Sequence, residues 1–407
     1  MTAKHDYRVR AVHCDHLADE ETIYQSLVRA TDPLDAAWAK LETAKRIGIK
    51  FNQDYNVLRV FESNYQELVS EPVARAVLRR LRERTSAELI CSSISVFRKE
   101  QSHEPDASEH LGQLLREFGV RFVAGDLPPH STVQVPGGGQ MFRQYLLPTE
   151  SVDVDAFISV AKMKNHAFMG VTACLKNLFG LMPMEPHGRA RQYYHHLVRM
   201  PYMLADIGRI FSPALNIVDG LVGQAEREWG GQGRIGNCLI AGDNVIATDA
   251  CTAHLMGHDP ETDWPNEPFL RDRNALKTAA EGGFGSVNLN EIDWQSEVVS
   301  PVNQFFCQQV DSSETTISWR RTTCEQALYY RDHREQFAQY AGEYILLYKN
   351  KVIWHNTNSN FGGSRRDLAA DDPTSAIFMK KVDPEEAEGE HFEVYEHTLE
   401  QMEALGL

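Results

Sequence analysis

The order of apolar and polar stretches predicts an α/β architecture: two parallel-sheet lobes around a central crevice, plus a small α+β C-terminal module. Three observations carry it. Between residues 46 and 124, short β-branched runs alternate with amphipathic helical patterns, which is how a parallel sheet with crossover helices reads. The apolar runs at 156–161 and 215–218 repeat the theme, and each gives way to charged residues where a strand would end. From about residue 303 the pattern changes to helix, two strands, helix and strand. The expected domains are therefore 1–147, 148–300 and 301–407.

Bulk properties narrow the function classes. A chain of 407 residues exceeds one ordinary domain, and 42% hydrophobic with 24% charged residues is usual for a globular protein. The formal charge of −16 argues against a nucleic-acid or anionic-membrane partner, whose phosphates it would repel. Seven cysteines form no C-x-x-C, so no disulfide framework and no zinc or iron–sulfur cluster is expected. The first residues lack an apolar signal core and no run approaches a membrane span, so a cytoplasmic location is expected.

Taken in order, the opening segment to about Leu41 has a mixed helical signal and many His and acidic residues. His13-Cys14-Asp15-His16 is set aside as a metal site because adjacent residues rarely point at one ion. Residues 46–51 read as a strand ending at Lys50 and Asn52, a place where a carboxylate or phosphate can be met. Helices follow at 71–84 and 111–118, and strands at 87–94 and 120–124. Pro136-Gly137-Gly138-Gly139 lacks both G-x-G-x-x-G order and a following helix, and is read as a turn.

The stretch 156–182 concentrates the chemistry. After its strand come Lys162, Lys164, Asn165 and His166, and then a helical period through Phe168, Val171, Leu175 and Leu178 that puts Thr172 and Lys176 on one face. A strand running through a cationic loop into a helix start suits an anion. Lys164, His166, Thr172, Lys176 and Asn177 are expected to converge on one ligand, with Lys162 beside them. Residues 185–199, with Arg189, Arg191, His195 and His196, read as a surface segment or as a flap over the anion. Asp219 ends the strand at 215–218, and Asp249 falls on the buried side of a helix at 245–256. Such a buried carboxylate must be paired with a cation or with backbone donors. Asp219, Asp249 and His195 are the candidate metal ligands.

K-x-K-x-H, then T, then K-N-x-x-G, followed by V-D-G and G-D-x-x-x-A-x-D, resembles the domain-of-unknown-function family numbered three hundred and sixty-two, over about residues 46–290. That family usually has K-P-N where this chain has Lys50-Phe51-Asn52. The segment from His166 to Lys176 is also similar to one in nickel-pincer lactate racemase, where His and Lys lie ten residues apart. That resemblance implies either a covalent nickel-pincer nucleotide on Lys176, or a cationic Lys176 that stabilises an enolate or alkoxide, with His166 as acid/base.

The C-terminal region is expected to fold as helix 325–340, a hairpin turning at Lys349-Asn350, helix 364–370 and strand 376–381, and to act as a lid, a homo-oligomer contact or a protein-partner surface. The functional expectation is an isomerase, lyase or oxidoreductase acting on a small anionic metabolite. In it Lys50, Asn52, Lys162, Thr172, Asn177, Arg189 and Arg191 bind, His166, Lys164 and Lys176 carry the chemistry, and a divalent metal can assist. The alternative is a non-catalytic scaffold that senses a metabolite and recruits a partner through the C-terminal module.

Overall fold

A computed structural model describes residues 7–54, 57–95, 97–99, 102–185, 192–359 and 377–407. Its centre is one mixed sheet. In chain order the strands are Arg8–His13 (β1), Arg46–Phe51 (β2), Glu88–Ser93 (β3), Arg121–Ala124 (β4), Ala156–His166 (β5), Gly170–Thr172 (β6), Leu215–Ala225 (β7), Gln232–Gly242 (β8) and Asp293–Ser296 (β9). They lie side by side as β9-β1-β8-β7-β5-β2-β3-β4, with β6 added along β5. The two separate parallel-sheet lobes expected from sequence are thus a single sheet, because β5 pairs directly with β2 across the expected boundary. The block from β4 to β7 is parallel. The connection from β7 to β8 is too short for a crossover, so β8 turns back antiparallel.

Alternation along the strands gives the sheet two apolar faces. Ile47, Ile49, Ile158, Val160, Leu215 and Ile217 face helices Glu20–Thr31 (α1), Asp35–Thr43 (α2), Glu71–Arg84 (α3) and Gly112–Glu117 (α4). Phe157, Ala161, Met163, Val218 and Ile240 join the opposite core with Cys174–Asn177 (α5), Arg199–Phe211 (α6), Val245–Leu255 (α7) and Ala275–Glu281 (α8). The chain leaves β2 through α3 on one face to reach β3. It leaves β5 through α6 on the other face to reach β7. Strand order therefore reverses between β2 and β5, the position at which open α/β sheets form a crevice beyond their carboxyl ends.

Helix Ser313–Asp332 (α9), strands Tyr344–Tyr348 (β10), Lys351–Asn356 (β11) and Phe378–Lys381 (β12), and helix Glu393–Ala404 (α10) build the C-terminal region. Its three strands form an antiparallel sheet of order β11-β10-β12. Lys349 and Asn350 both adopt positive φ, as a two-residue hairpin requires. The helix expected at 364–370 lies outside the described residues. This region does not stand apart from the body. Tyr344, Phe378 and Tyr395 share the core of α6 and α7, and the buried Arg199 guanidinium at the start of α6 meets Glu390 at 2.7 Å. Among the described residues no helix is long and apolar enough to cross a membrane.

Candidate functional site

The K-x-K-x-H motif is strand, not loop. β5 continues through it to His166, so a period of two places Lys162, Lys164 and His166 on one face. β2 stops at Phe51, opposite Val160, and the last six residues of β5 run past it. The chain then folds back at Gly170 (φ +72), and β6 takes up the vacated edge with Thr172 opposite Lys164. Only after this return does helix begin, as the four residues of α5. The helical period read from Phe168 onward is thus a hairpin followed by one turn, and the expected helix is corrected to that extent. Between the end of β2 and the start of β6 lies a cavity of about 250 Å³, lined by Lys50, Asn52, Asp54, Lys164, His166, Thr172, Lys176, Asn177, His195, Glu228 and Trp229, among others.

Each lysine is held differently. Lys164 is 3% exposed; its ammonium donates to the carbonyls of Glu67 (2.8 Å) and Glu228 (3.5 Å) and lies 4.8 Å from the Trp229 ring centre. Among the described residues no carboxylate lies within ion-pair distance of it. Burial draws its pKa down to about 8, although Glu67 and Glu228 pull the other way. Lys50 donates to its neighbour's carbonyl, Phe51 O, at 2.6 Å. Its stem passes so close to Gly180 that a Cβ there would meet Lys50 Cε at 2.6 Å, so a larger residue would have to displace the end of the Lys50 side chain. Lys176 projects from α5 with its ammonium 4.5 Å from the Phe179 ring centre.

His166 is neutral and its tautomer is fixed. The Phe168 amide donates to Nδ1 at 3.0 Å, so Nδ1 is an acceptor and the proton sits on Nε2. Burial, with Lys176, Lys164 and Arg271 adding like charge, pushes its pKa down to about 3. Glu228 lies 3.3 Å from Nδ1 and accepts from Ala167 N at 3.2 Å. Burial alone would raise the Glu228 carboxyl; backbone donors, Ala167 N among them, and Lys176 outweigh it and hold the group low. Two oxygens of the lining residues, Thr172 Oγ1 and Asn52 Oδ1, are buried without a hydrogen-bond partner among the described residues. Such groups are costly unless a ligand or water meets them.

A family model described as Domain of unknown function (DUF362) matches residues 49–254, half of the chain. The chain belongs to that family. The matched span runs from β2 to α7 and includes every cavity-lining residue named above. The chain is also 29% identical to Thylakoid-associated protein sll1697 of Synechocystis sp. over 235 residues, covering 49% of this chain and 72% of that protein.

Several motif residues support the cleft without lining it. Lys162 and Asp219 form a fully buried ion pair of 3.1 Å; the same Asp219 oxygen accepts from Ser70 N and Oγ, both at 2.8 Å, and the other from Leu221 N at 3.2 Å. β7 continues to Ala225, so Asp219 is mid-strand and not at a strand end. Asp249 reaches from α7 to accept from Cys174 N (2.9 Å) and Leu175 N (2.7 Å), which holds the start of α5; burial against these donors pushes it up to about 7. Asn177, by contrast, both lines the cavity and ties β2 to β5 through its amide, which donates to Lys50 O, Ser159 Oγ and Val160 O. Asp243, of the G-D-x-x-x-A-x-D block, sits at the other end of the sheet because β8 is antiparallel, and accepts from Arg8 N.

Asp219, Asp249 and His195 are not brought together: among the described residues no group of three His, Cys, Asp or Glu is disposed to hold a metal ion. His195 instead lies against the aromatic wall, 4.7 Å from the Phe168 ring and 6.4 Å from that of His166. Arg189 and Arg191 lie outside the described residues. Sequence reasoning missed Asp54, Glu67 and the role of Glu228 and Trp229. The last two stood in a glycine-rich loop whose acids were visible, but Glu67 acts through its backbone carbonyl, which no side-chain pattern encodes.

Proposed function

We propose that the protein is an enzyme acting on a small carboxylate or phosphate metabolite bound in the cleft between β2 and β5. One observation carries this reading: Thr172 and Asn52, whose buried Oγ1 and Oδ1 have no hydrogen-bond partner among the described residues, line the same small cavity as Lys50, Lys164 and Lys176. A ligand with anionic oxygens and a hydroxyl would suit this cationic lining and the orphaned groups together. The volume suits a metabolite and not a polymer.

The roles follow from the protonation states. Lys50 and Lys176 hold the anion. His166 presents Nε2–H as a neutral donor toward oxygen that gains charge during reaction, while Glu228, ionised at neutral pH, is the group able to accept a proton. In this reading His166 takes the acid half of the acid/base role expected of it. The racemase-like spacing of His166 and Lys176 fits a cationic Lys176 beside an enolate. A cavity of about 250 Å³ is small for a nucleotide-sized group, which favours the non-covalent role of Lys176 over the nickel-pincer one.

The test is turnover and hydrogen exchange with solvent on a panel of 2-hydroxy, 2-oxo and phosphorylated acids, in wild type and in Glu228→Gln and Lys176→Met. Exchange or conversion that collapses in both variants supports the enzyme. Stoichiometric binding with no conversion or exchange of any panel member would instead support a metabolite-binding scaffold.

A further inference from the structure

Lys162 and Lys164 stand two residues apart on one face of β5, and the structure treats them in opposite ways. Lys162 has a carboxylate at 3.1 Å. Lys164, also buried, meets only backbone carbonyls and the Trp229 ring among the described residues, and it opens onto the cavity. A buried amine with no carboxylate in direct contact is the arrangement that releases a proton easily and leaves a nucleophilic lone pair. Lys162, two residues away on the same face, disfavours a second positive charge at Lys164, and Lys50 and Lys176 on the same lining can hold a carboxylate. Beside them stand an ionised acceptor, Glu228, and a neutral donor, His166.

We infer that Lys164 forms an imine with the carbonyl carbon of a small 2-oxo carboxylate seated in this cleft. The inference rests on the anion-binding reading above and names its substrate class. The Nζ lone pair makes a C–N bond to C2 as the C=O π pair moves to oxygen. One amine proton passes to that oxygen, relayed by the Glu228 carboxylate, to give the carbinolamine. The C–O bond then breaks, oxygen leaves as water with the second amine proton, and C=N remains. No oxidant or reductant is consumed. The imine withdraws electrons from C3, whose proton Glu228 can take. The lowered pKa of Lys164, about 8, supports the step by supplying free amine near neutral pH.

The test incubates full-length protein with pyruvate and cyanoborohydride and reads intact mass, then maps the adduct by peptide sequencing; lactate, which has no carbonyl, is the control, and calorimetry records binding of both acids. The expected result is a single gain equal to pyruvate less one oxygen, mapped to Lys164, increasing between pH 7 and 9, absent with lactate and absent in Lys164→Arg. Binding of pyruvate and lactate with no adduct, or an adduct mapped to Lys50 or Lys176, overturns the imine and leaves the anion site standing. Failure of both acids to bind overturns the anion site and the imine together. Because the adduct is sought in the wild-type protein, a variant that fails to fold does not decide the matter.

Discussion

Asp219→Asn separates a role in the frame from a role in the chemistry. In the folded protein the Asp219 carboxylate and the Lys162 ammonium are 3.1 Å apart and both fully buried. The asparagine keeps the shape and one acceptor for Ser70, but strands the ammonium without its counter-charge. Removing one partner of a buried pair costs about 3 to 5 kcal/mol. Adding Lys162→Met removes the stranded charge, so the double variant should recover about 2 kcal/mol or more of that loss. Urea unfolding followed by tryptophan fluorescence measures both values, with an unchanged dependence on denaturant as the check that the same transition is compared. pH gives a second handle. Burial lowers the Lys162 pKa and Asp219 opposes it, so without Asp219 the folded protein favours the neutral amine still more. A lysine depressed in the folded state is penalised below its folded pKa and relieved as pH rises toward the unfolded value, so the Asp219→Asn deficit should shrink toward about pH 10. A loss under about 1 kcal/mol, or a double variant less stable than the single one, would refute the buried pair as a structural element.

Three further outcomes follow from the same geometry. Gly180→Ala drives a Cβ against Lys50 Cε and should weaken anion binding by about tenfold to a hundredfold, the worth of one charged hydrogen bond, with circular dichroism unchanged. Anion affinity measured by calorimetry should fall as pH rises through about 8, where Lys164 loses its charge, and Lys164→Met should remove that limb. Asp249 is raised from 3.8 to about 7 in the folded protein, so its stabilising contribution is complete below 3.8 and lost as pH rises through 7; Asp249→Asn should flatten the pH dependence of the melting temperature across that window.

Elements with strong local signals were legible in the sequence. α3 and α7 carry an amphipathic or capped pattern, and the N-cap of α7 is Asn244, which accepts from Ile246 N and Ala247 N. The convergence of Lys164, His166, Thr172, Lys176 and Asn177 on one cavity was also expected, from a strand that leads through cationic residues toward a helix start. What misled was the reading of charge as a strand terminator. Both β5 and β7 continue through Lys162 and Asp219 because each supplies the other's counter-ion, a fact of tertiary pairing that no single segment contains. β1 was hidden in a polar opening segment, and the single sheet was read as two lobes because pairing of β2 with β5 spans more than a hundred residues. The hairpin at Gly170 imitated a helix because its apolar residues happen to fall three and four apart. The metal expectation attached to Asp219 and Asp249 arose from the need to pair buried carboxylates, and backbone amides with one lysine meet that need.

The most direct test of the cleft as an anion site is a calorimetric titration of phosphate, lactate and pyruvate into wild type and into Lys50→Met/Lys176→Met. One anion should bind per chain, more weakly as salt is raised, and the double variant should lose roughly 100-fold or more in affinity, because two charge-assisted contacts disappear at once. Binding of none of these anions by the wild type, or equal affinity in the double variant, would contradict the account.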